Sequence, residues 1–207
     1  NQNRPIHMIT LEDPIEYVYE PAQAIINQRE VGVDVESYDK GLYAALREDP
    51  DVILIGEMRD LATIETALMA AETGHLVFST IHTNSAIDSI DRIVGVFPED
   101  KQQQIRMQLS MTLRAVLAQQ LVPRAGGQGR AAACELMMIT PAIRNLIRDG
   151  KTPQMQSYLL SSAKEGSITM DNFLIRMAKE GVITPQTAVD ASRNPQEVRR
   201  DLAAVQY

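Results

Sequence analysis

Hydrophobic and polar positions in the first half of the chain follow an alternation of strands and helices. Residues 52–55 are four consecutive aliphatics, which is typical of a strand buried on both faces of a parallel sheet. Shorter apolar runs at residues 7–11 and 76–82 predict two more strands, and stretches of helical periodicity follow the strands. This order predicts βαβ units, and so an α/β fold with a mostly parallel sheet flanked by helices.

The second half of the chain has a different pattern. Residues 98–120 predict one long amphipathic helix, and the glycine-rich turn at residues 126–129 predicts a hairpin. After Met138 the periodicity is wholly helical. We therefore predict two domains, the α/β part over residues 1–138 and a small all-helical appendage over residues 139–207.

Composition and charge narrow the possible functions. The chain has 27 acidic and 20 basic side chains, a formal charge of −7, which argues against a protein that mainly coats nucleic acid. The single cysteine, Cys134, cannot form an internal disulfide or supply the paired thiolates of a zinc site. No apolar run approaches the roughly 18 residues that a membrane helix needs. These features predict a cytoplasmic protein that does not insert into a membrane.

Acidic side chains follow two of the predicted strands. Glu57 comes directly after the aliphatic strand and Gly56, where nucleotide hydrolases hold magnesium or its waters. Glu12, Asp13 and Glu16 follow the first strand, and converging carboxylates can divide the work of holding a metal and activating water. Each cluster by itself also fits an ordinary solvated turn.

Histidine and arginine side chains occur in the same segments. His82 ends a predicted strand among hydroxyls, where an imidazole could donate to a phosphate oxygen. Arg29, Arg47 and Arg59 lie in or beside these segments, and guanidinium groups assist phosphoryl transfer. Taken singly, each arginine also fits a surface ion pair.

The phosphate-binding loop of nucleotide hydrolases does not occur in the sequence. No G-x-x-x-x-G-K-[ST] pattern is present, and the glycines at residues 126–129 lack the lysine. The chain starts at Asn1 without a methionine. We expect the loop to lie upstream of Asn1, and we expect this chain alone to bind ATP weakly.

Three segments resemble, in order, the motifs of one family. Residues 9–17 (ITLEDPIEY) resemble its Asp box, residues 47–60 (REDPDVILIGEMRD) its atypical Walker B segment, and residues 73–83 (TGHLVFSTIHT) its His box. On these motifs the chain is identified as a member of the secretion-superfamily hexameric ATPases, which drive type IV pili and type II secretion.

The resemblance implies a RecA-like ATPase core that uses ATP and magnesium. It implies that Glu57 is the Walker B carboxylate, holding magnesium through water, that Glu16 activates the attacking water, and that His82 senses the terminal phosphate. It further implies a homo-hexamer of the full-length protein at the pilus machinery of the inner membrane, engaged with a platform protein. The remaining side chains expected at the nucleotide or the subunit interface are Glu12, Asp13, Arg29, Arg47 and Arg59.

Residues 142–149 (AIRNLIRD) resemble a signature of the retraction motors within this family, with Asp149 in place of the final glutamate. Ile143, Leu146 and Ile147 form an apolar stripe, whereas Arg144 and Arg148 lie one turn apart on another face. The resemblance implies a motor that powers pilus retraction and twitching motility, and we expect the fragment itself to be inactive. The residues expected to couple hydrolysis to retraction are Arg144, Asn145, Leu146, Ile147 and Arg148.

Other functions fit parts of the sequence. An extension or secretion ATPase of the same superfamily commonly carries paired cysteines, which this chain lacks. A RecA-like module that assembles without hydrolysis is a further alternative, although the chain keeps Glu16, Glu57 and His82. A nucleic-acid translocase would have a basic channel with aromatic side chains, and this chain is acidic and has no tryptophan.

Overall fold

The structure, a computed structural model, describes residues 1–20 and 22–204. The described chain forms two compact units. Unit 1 comprises Asn1–His82 and Ile93–Thr112, and unit 2 comprises Thr83–Arg92 and the chain from Leu113 onward. The elements, in chain order, are β1 (His7–Glu12), β2 (Ile25–Glu30), α1 (Tyr38–Ala45), β3 (Val52–Ile55), α2 (Leu61–Glu72), β4 (Leu76–Ser79), α3 (Ala86–Gly95), α4 (Glu99–Thr112), β5 (Ala115–Pro123), β6 (Arg130–Met138), α5 (Pro141–Arg148), α6 (Met155–Ser161), α7 (Met170–Lys179), α8 (Pro185–Ala191) and α9 (Pro195–Ala203), with short 3₁₀ helices at Thr152–Gln154 and Ser162–Glu165.

Unit 1 is built on a parallel sheet of four strands in the order β2-β1-β3-β4. In the central pairing, Ile9 lies opposite Ile53 and Leu11 opposite Ile55, and all four side chains are fully buried. Burial is concentrated in the two central strands, β1 and β3, whereas the outer strands keep exposed apolar side chains at Ile25, Leu76 and Phe78. The core of this unit includes a cluster of Leu11, Leu42, Ile53, Ile55, Ala67 and Ala70. The predicted α/β fold is confirmed.

Unit 2 combines a hairpin with helices. β5 and β6 pair antiparallel, from Ala115 opposite Met138 to Pro123 opposite Arg130. Thr140 and Thr169 cap α5 and α7, since each hydroxyl accepts the backbone N–H three residues further on. The buried core includes Val122 and Ala133 of the hairpin and side chains of α7, α8 and α9. The predicted helical C-terminal part is present.

Two predicted elements differ from the structure. The long helix over residues 98–120 was wrong: α4 ends at Thr112, and β5 starts at Ala115. Along β5, Ala118 and Val122 are buried between exposed neighbours, and pairing with β6 along its length satisfies the backbone. The strand predicted to reach residue 82 ends at Ser79, because its partner β3 ends at Ile55, opposite Ser79.

The predicted division into residues 1–138 and 139–207 does not coincide with the two units. The hairpin shares a core with the helices that follow it, and so belongs to unit 2. The division stays a prediction, and residues 205–207 of its second part lie outside the described residues. Within the described part of the chain, no helix is long and apolar enough to span a bilayer.

Candidate active site

The carboxyl ends of β1, β3 and β4 lie at one edge of the unit 1 sheet, and hydrogen bonds fix their mutual positions. The N–H of Gly56 donates to the carbonyl oxygen of Leu11 at 2.7 Å, which continues the pairing of β3 with β1 by one residue. The hydroxyl of Thr80 donates to the carbonyl oxygen of Gly56 at 2.5 Å, and the N–H of Met58 donates to the carbonyl oxygen of Thr80 at 3.0 Å. The turn that carries Glu57 is thereby held between the ends of β1 and β4.

Glu57 lies at the centre of this edge and has two basic neighbours. Its side chain is 15% exposed. One carboxylate oxygen, Oε2, accepts from Nε of Arg59 at 2.5 Å, and the other, Oε1, lies 3.2 Å from Nε2 of His82. The His82 side chain is 85% exposed. The structure therefore brings together Glu57, Arg59 and His82, three of the predicted site residues.

The charges in this cluster stabilise one another. The hydrogen bond from Arg59 to Glu57, together with the carboxylate's charge, raises the pKa of Arg59. An ionised carboxylate that is largely screened from solvent is an acceptor only. Glu57 can thus accept a proton or a hydrogen bond from water, or it can hold a cation. The exposed His82 then either moves aside or adds its own hydrogen bond.

Tyr38, in the first turn of α1, also reaches this edge. A Cβ placed on Gly56 would meet the Tyr38 hydroxyl at 3.1 Å and the carbonyl oxygen of Leu11 at 3.2 Å. The groups that come this close to Gly56 thus belong to the protein itself. Burial raises the pKa of Tyr38, and the charges of Asp13 and Glu57 raise it further. At neutral pH the phenol therefore keeps its proton and can donate it in a hydrogen bond.

Sequence reasoning missed Tyr38 because it lies in none of the three motifs. One signal was available. The first turn of a helix that follows a parallel strand lies at the carboxyl edge of the sheet, where ligands bind in open α/β folds. Tyr38 is the first residue of α1, the helix after β2.

The two acids at the end of β1, Glu12 and Asp13, have different surroundings. Glu12 is half-buried, and its Oε1 accepts from the hydroxyl of Thr10 at 2.6 Å and from Nε2 of Gln28 at 2.9 Å. Asp13 is exposed, although its charge acts on Tyr38 and Arg59. Of the two, Asp13 is better placed to meet a ligand, while Glu12 joins β1 to β2.

The structure does not bring Glu16 into contact with Glu57. The Glu16 side chain is exposed, and within residues 1–20 and 22–204 no hydrogen bond or ion pair links it to Glu57 or His82. Its segment is attached on the β2 side, where the N–H of Ile15 donates to Oε2 of Glu30 at 3.0 Å. The predicted role of Glu16 stays a prediction.

Arg29 and Arg47 lie apart from the Glu57 cluster. Both terminal nitrogens of Arg29 donate to the carboxylate of Glu48, at 2.8 and 2.7 Å. This pairing raises the pKa of Arg29 and lowers that of Glu48. Arg47 follows α1 and is exposed. Their predicted contacts with a nucleotide or a neighbouring subunit stay predictions.

The five residues predicted to couple hydrolysis to movement lie on α5 but do not share one face. Leu146 and Ile147 are buried, so they hold the helix in place and cannot meet a partner. Asn145 and Arg148 are exposed and Arg144 is half-buried. A partner could therefore contact only the polar members of the set.

The described residues do not form a complete metal site on their own. Within residues 1–20 and 22–204, no three His, Cys, Asp or Glu side chains are grouped so that they could hold a metal ion. Magnesium at nucleotide sites is usually bound by one or two carboxylates, with phosphates and water as the other ligands. Glu57 fits this limited role, since its carboxylate follows β3 at the carboxyl edge of the sheet and keeps part of its surface open to solvent.

Comparison with known proteins identifies relatives of this arrangement. The family model described as "Type II/IV secretion system protein" matches residues 1–190. The type IV pilus retraction ATPase PilT of Pseudomonas aeruginosa is 47% identical over 196 residues, which are 95% of this chain and 57% of that protein. A twitching motility protein of Neisseria gonorrhoeae is 46% identical over 96% of this chain and 53% of its own length.

Solved structures agree with the sequence matches. The crystal structure of the pilus retraction motor PilT with bound ADP superposes with a TM-score of 0.87 at 52% identity, over 96% of this chain and 56% of that one. The ATPase DotB of Legionella pneumophila has a TM-score of 0.80 at 27% identity, over 91% and 52% of the two chains. The chain spans a little over half the length of the relatives that it matches.

Proposed function

Since the chain belongs to the type II/IV secretion system protein family, we propose that the full-length protein is an ATP-hydrolysing motor that acts as a ring of six and withdraws a type IV pilus. The single observation that carries this proposal is the cluster of Glu57, Arg59 and His82 at the carboxyl edge of the parallel sheet. The high identity to a pilus retraction ATPase over 95% of the chain supports the choice of motor.

In this proposal the chain's own residues divide the work at the terminal phosphate. Glu57 would hold the magnesium and its waters, and the cation would offset the charge that develops on the phosphate oxygens. Arg59 orients the Glu57 carboxylate through its hydrogen bond. His82, exposed and 3.2 Å from Glu57, exchanges this contact for a phosphate oxygen when one is present. Glu16 activates water.

The test is the ATPase rate of the full-length protein with Glu57→Gln. The substitution keeps the shape of the side chain and removes the charge, so kcat should fall about 100-fold or more while ATP still binds. Glu65→Gln, which neutralises an exposed acid on α2, is the matched control and should keep the wild-type rate. A wild-type rate in Glu57→Gln would remove Glu57 from the mechanism.

Coupling to retraction is tested separately on α5. Replacing Arg144 and Arg148 by glutamine should impair pilus withdrawal more than ATP hydrolysis, because neither belongs to the Glu57 cluster and both lie on a helix that is anchored by its apolar stripe. Arg199→Gln, on the exposed surface of α9, is the control. Equal losses of hydrolysis and retraction would contradict a coupling role for this helix.

A further inference from the structure

A fully buried carboxylate lies in unit 2. Glu135, on β6, has 0% of its surface exposed. Its Oε1 accepts from the N–H of Ala86 at 2.9 Å and from a terminal nitrogen of Arg193 at 3.1 Å, and its Oε2 accepts from the N–H of Met170 at 3.3 Å. An ionised carboxylate is stable in the interior only with such donors, so these three contacts depend on one another.

Two of the three donors are backbone N–H groups of the first residue of a helix. Ala86 is the first residue of α3, and Met170 is the first residue of α7. The first N–H groups of a helix have no partner within the helix and carry a partial positive charge, which a carboxylate satisfies. Glu135 therefore fixes the starts of two helices that are distant in sequence to the same point on β6.

Arg193 completes the cluster from the segment between α8 and α9. Its guanidinium also donates to the carbonyl oxygen of Asn84 at 3.2 Å, so the Glu135–Arg193 pair contacts the chain on either side of Ser85. The backbone N–H of Arg193 donates to Asp171, in the first turn of α7, at 2.8 Å. The segment at Asn84–Ala86 is thus bound both to the hairpin and to the C-terminal helices.

This bound segment directly follows His82. The chain leaves unit 1 at His82 and enters unit 2 at Thr83, and Ala86 is four residues beyond the histidine. A displacement of His82 must therefore either be taken up by a change of conformation in residues 83–85 or alter the contacts of Glu135.

We propose that Glu135 is a positioning residue that links His82 to the C-terminal helices, so that a change at the nucleotide's terminal phosphate alters the start of α7. The part of this proposal that concerns nucleotide rests on the proposed ATPase function. Glu135 itself touches no reacting atom. Its role is to keep the Asn84–Ala86 segment and the start of α7 moving together.

The test is hydrogen–deuterium exchange of the full-length protein, with and without ADP and a non-hydrolysable ATP analogue. In the wild type, we expect the change of nucleotide to alter exchange both at residues 80–88 and at the start of α7. In Glu135→Gln the side-chain amide cannot accept from all three donors, and the response at α7 should shrink at least fivefold while the response around Glu57 remains. Glu180→Gln, an exposed acid at the end of α7, should respond as the wild type does.

A second, milder variant keeps the proposal testable if Glu135→Gln does not fold. Arg193→Gln removes the charge partner at the more exposed end of the cluster, where the side chain is 37% exposed, and leaves both helix N–H donors on Glu135. We expect its response at α7 to be intermediate. An undiminished response at α7 in both variants would overturn the proposal, as would a wild type that binds nucleotide without any response there. A wild type that binds no nucleotide would instead refute the proposed function.

Discussion

Glu57 and Glu135 are both largely shielded from water, but they differ in what surrounds them. Glu57 has two basic side chains as neighbours, and both neighbours are mostly exposed, Arg59 at 64% and His82 at 85%. Glu135 has two backbone N–H groups and one guanidinium, and its own side chain is fully buried. The first carboxylate can exchange its partners for a ligand, whereas the second cannot lose a partner without leaving a charge unsatisfied. The candidate site around Glu57 therefore differs from the structural cluster around Glu135 in the exposure of the acid's partners, and not in the exposure of the acid itself.

The largest expected effect comes from neutralising the two acids in parallel. Glu135→Gln should lower the free energy of unfolding by about 3 kcal/mol, because buried donors to a charged group lose their acceptor. Glu57→Gln should lower it far less, because Arg59 and His82 can turn to water. Urea unfolding of the two variants beside the wild type measures both values. Similar losses in the free energy of unfolding for the two variants would contradict the difference between Glu57 and Glu135.

A smaller effect is expected from filling the space at Gly56. In Gly56→Ala the new methyl group would meet the Tyr38 hydroxyl at 3.1 Å and the carbonyl oxygen of Leu11 at 3.2 Å. One of these neighbours is backbone in a paired strand and cannot retreat, so we expect a loss of about 1–3 kcal/mol in the free energy of unfolding.

The matched control for this crowding is Gly95, at the end of α3, where an added Cβ meets nothing within 4 Å. Gly95→Ala should be neutral or stabilise the chain by up to about 1 kcal/mol, since alanine favours the helix. If the two variants unfold at the same urea concentration, the close approach of β1 and Tyr38 to Gly56 does not constrain the site.

The two regions also differ in how far the sequence predicted them. Glu57 and His82 were predicted as site residues because each follows an apolar run, and parallel strands place their carboxyl ends at one edge. Glu135 carried no such signal. Its partners Ala86, Met170 and Arg193 lie 49, 35 and 58 residues away in the chain, so only the folded chain brings them together.

The same physical reason explains the errors at the level of the fold. β3 was predicted correctly because four aliphatics in a row suit a strand that is buried on both faces. Residues 115–120 of β5 were predicted as the end of a helix, since alanine, leucine and glutamine favour helices and the strand pairing depends on a partner that follows in sequence. Local preference was sufficient where burial on both faces dominates, and it failed where pairing with the next strand of a hairpin decides.

The smallest expected effect concerns Tyr38, which joins the Glu57 cluster to the acids after β1. Burial, followed by the charge of Asp13, raises the pKa of Tyr38 above its usual value. The folded protein therefore holds the phenol proton more tightly than the unfolded chain does. The stabilisation that results is complete below about pH 10, the unfolded value, and is lost as the pH rises through the folded pKa.

In Tyr38→Phe this loss cannot occur. Its free energy of unfolding should accordingly fall less steeply than that of the wild type as the pH rises above about 10. Tyr43→Phe, an exposed tyrosine on the same helix, should keep the wild-type slope, because the free energy lost there depends on burial and neighbouring charge. Urea unfolding at a series of pH values measures the three slopes. If Tyr38→Phe follows the wild type, the hydroxyl is fully solvated in the folded protein, and Tyr38 does not belong to the region around Glu57.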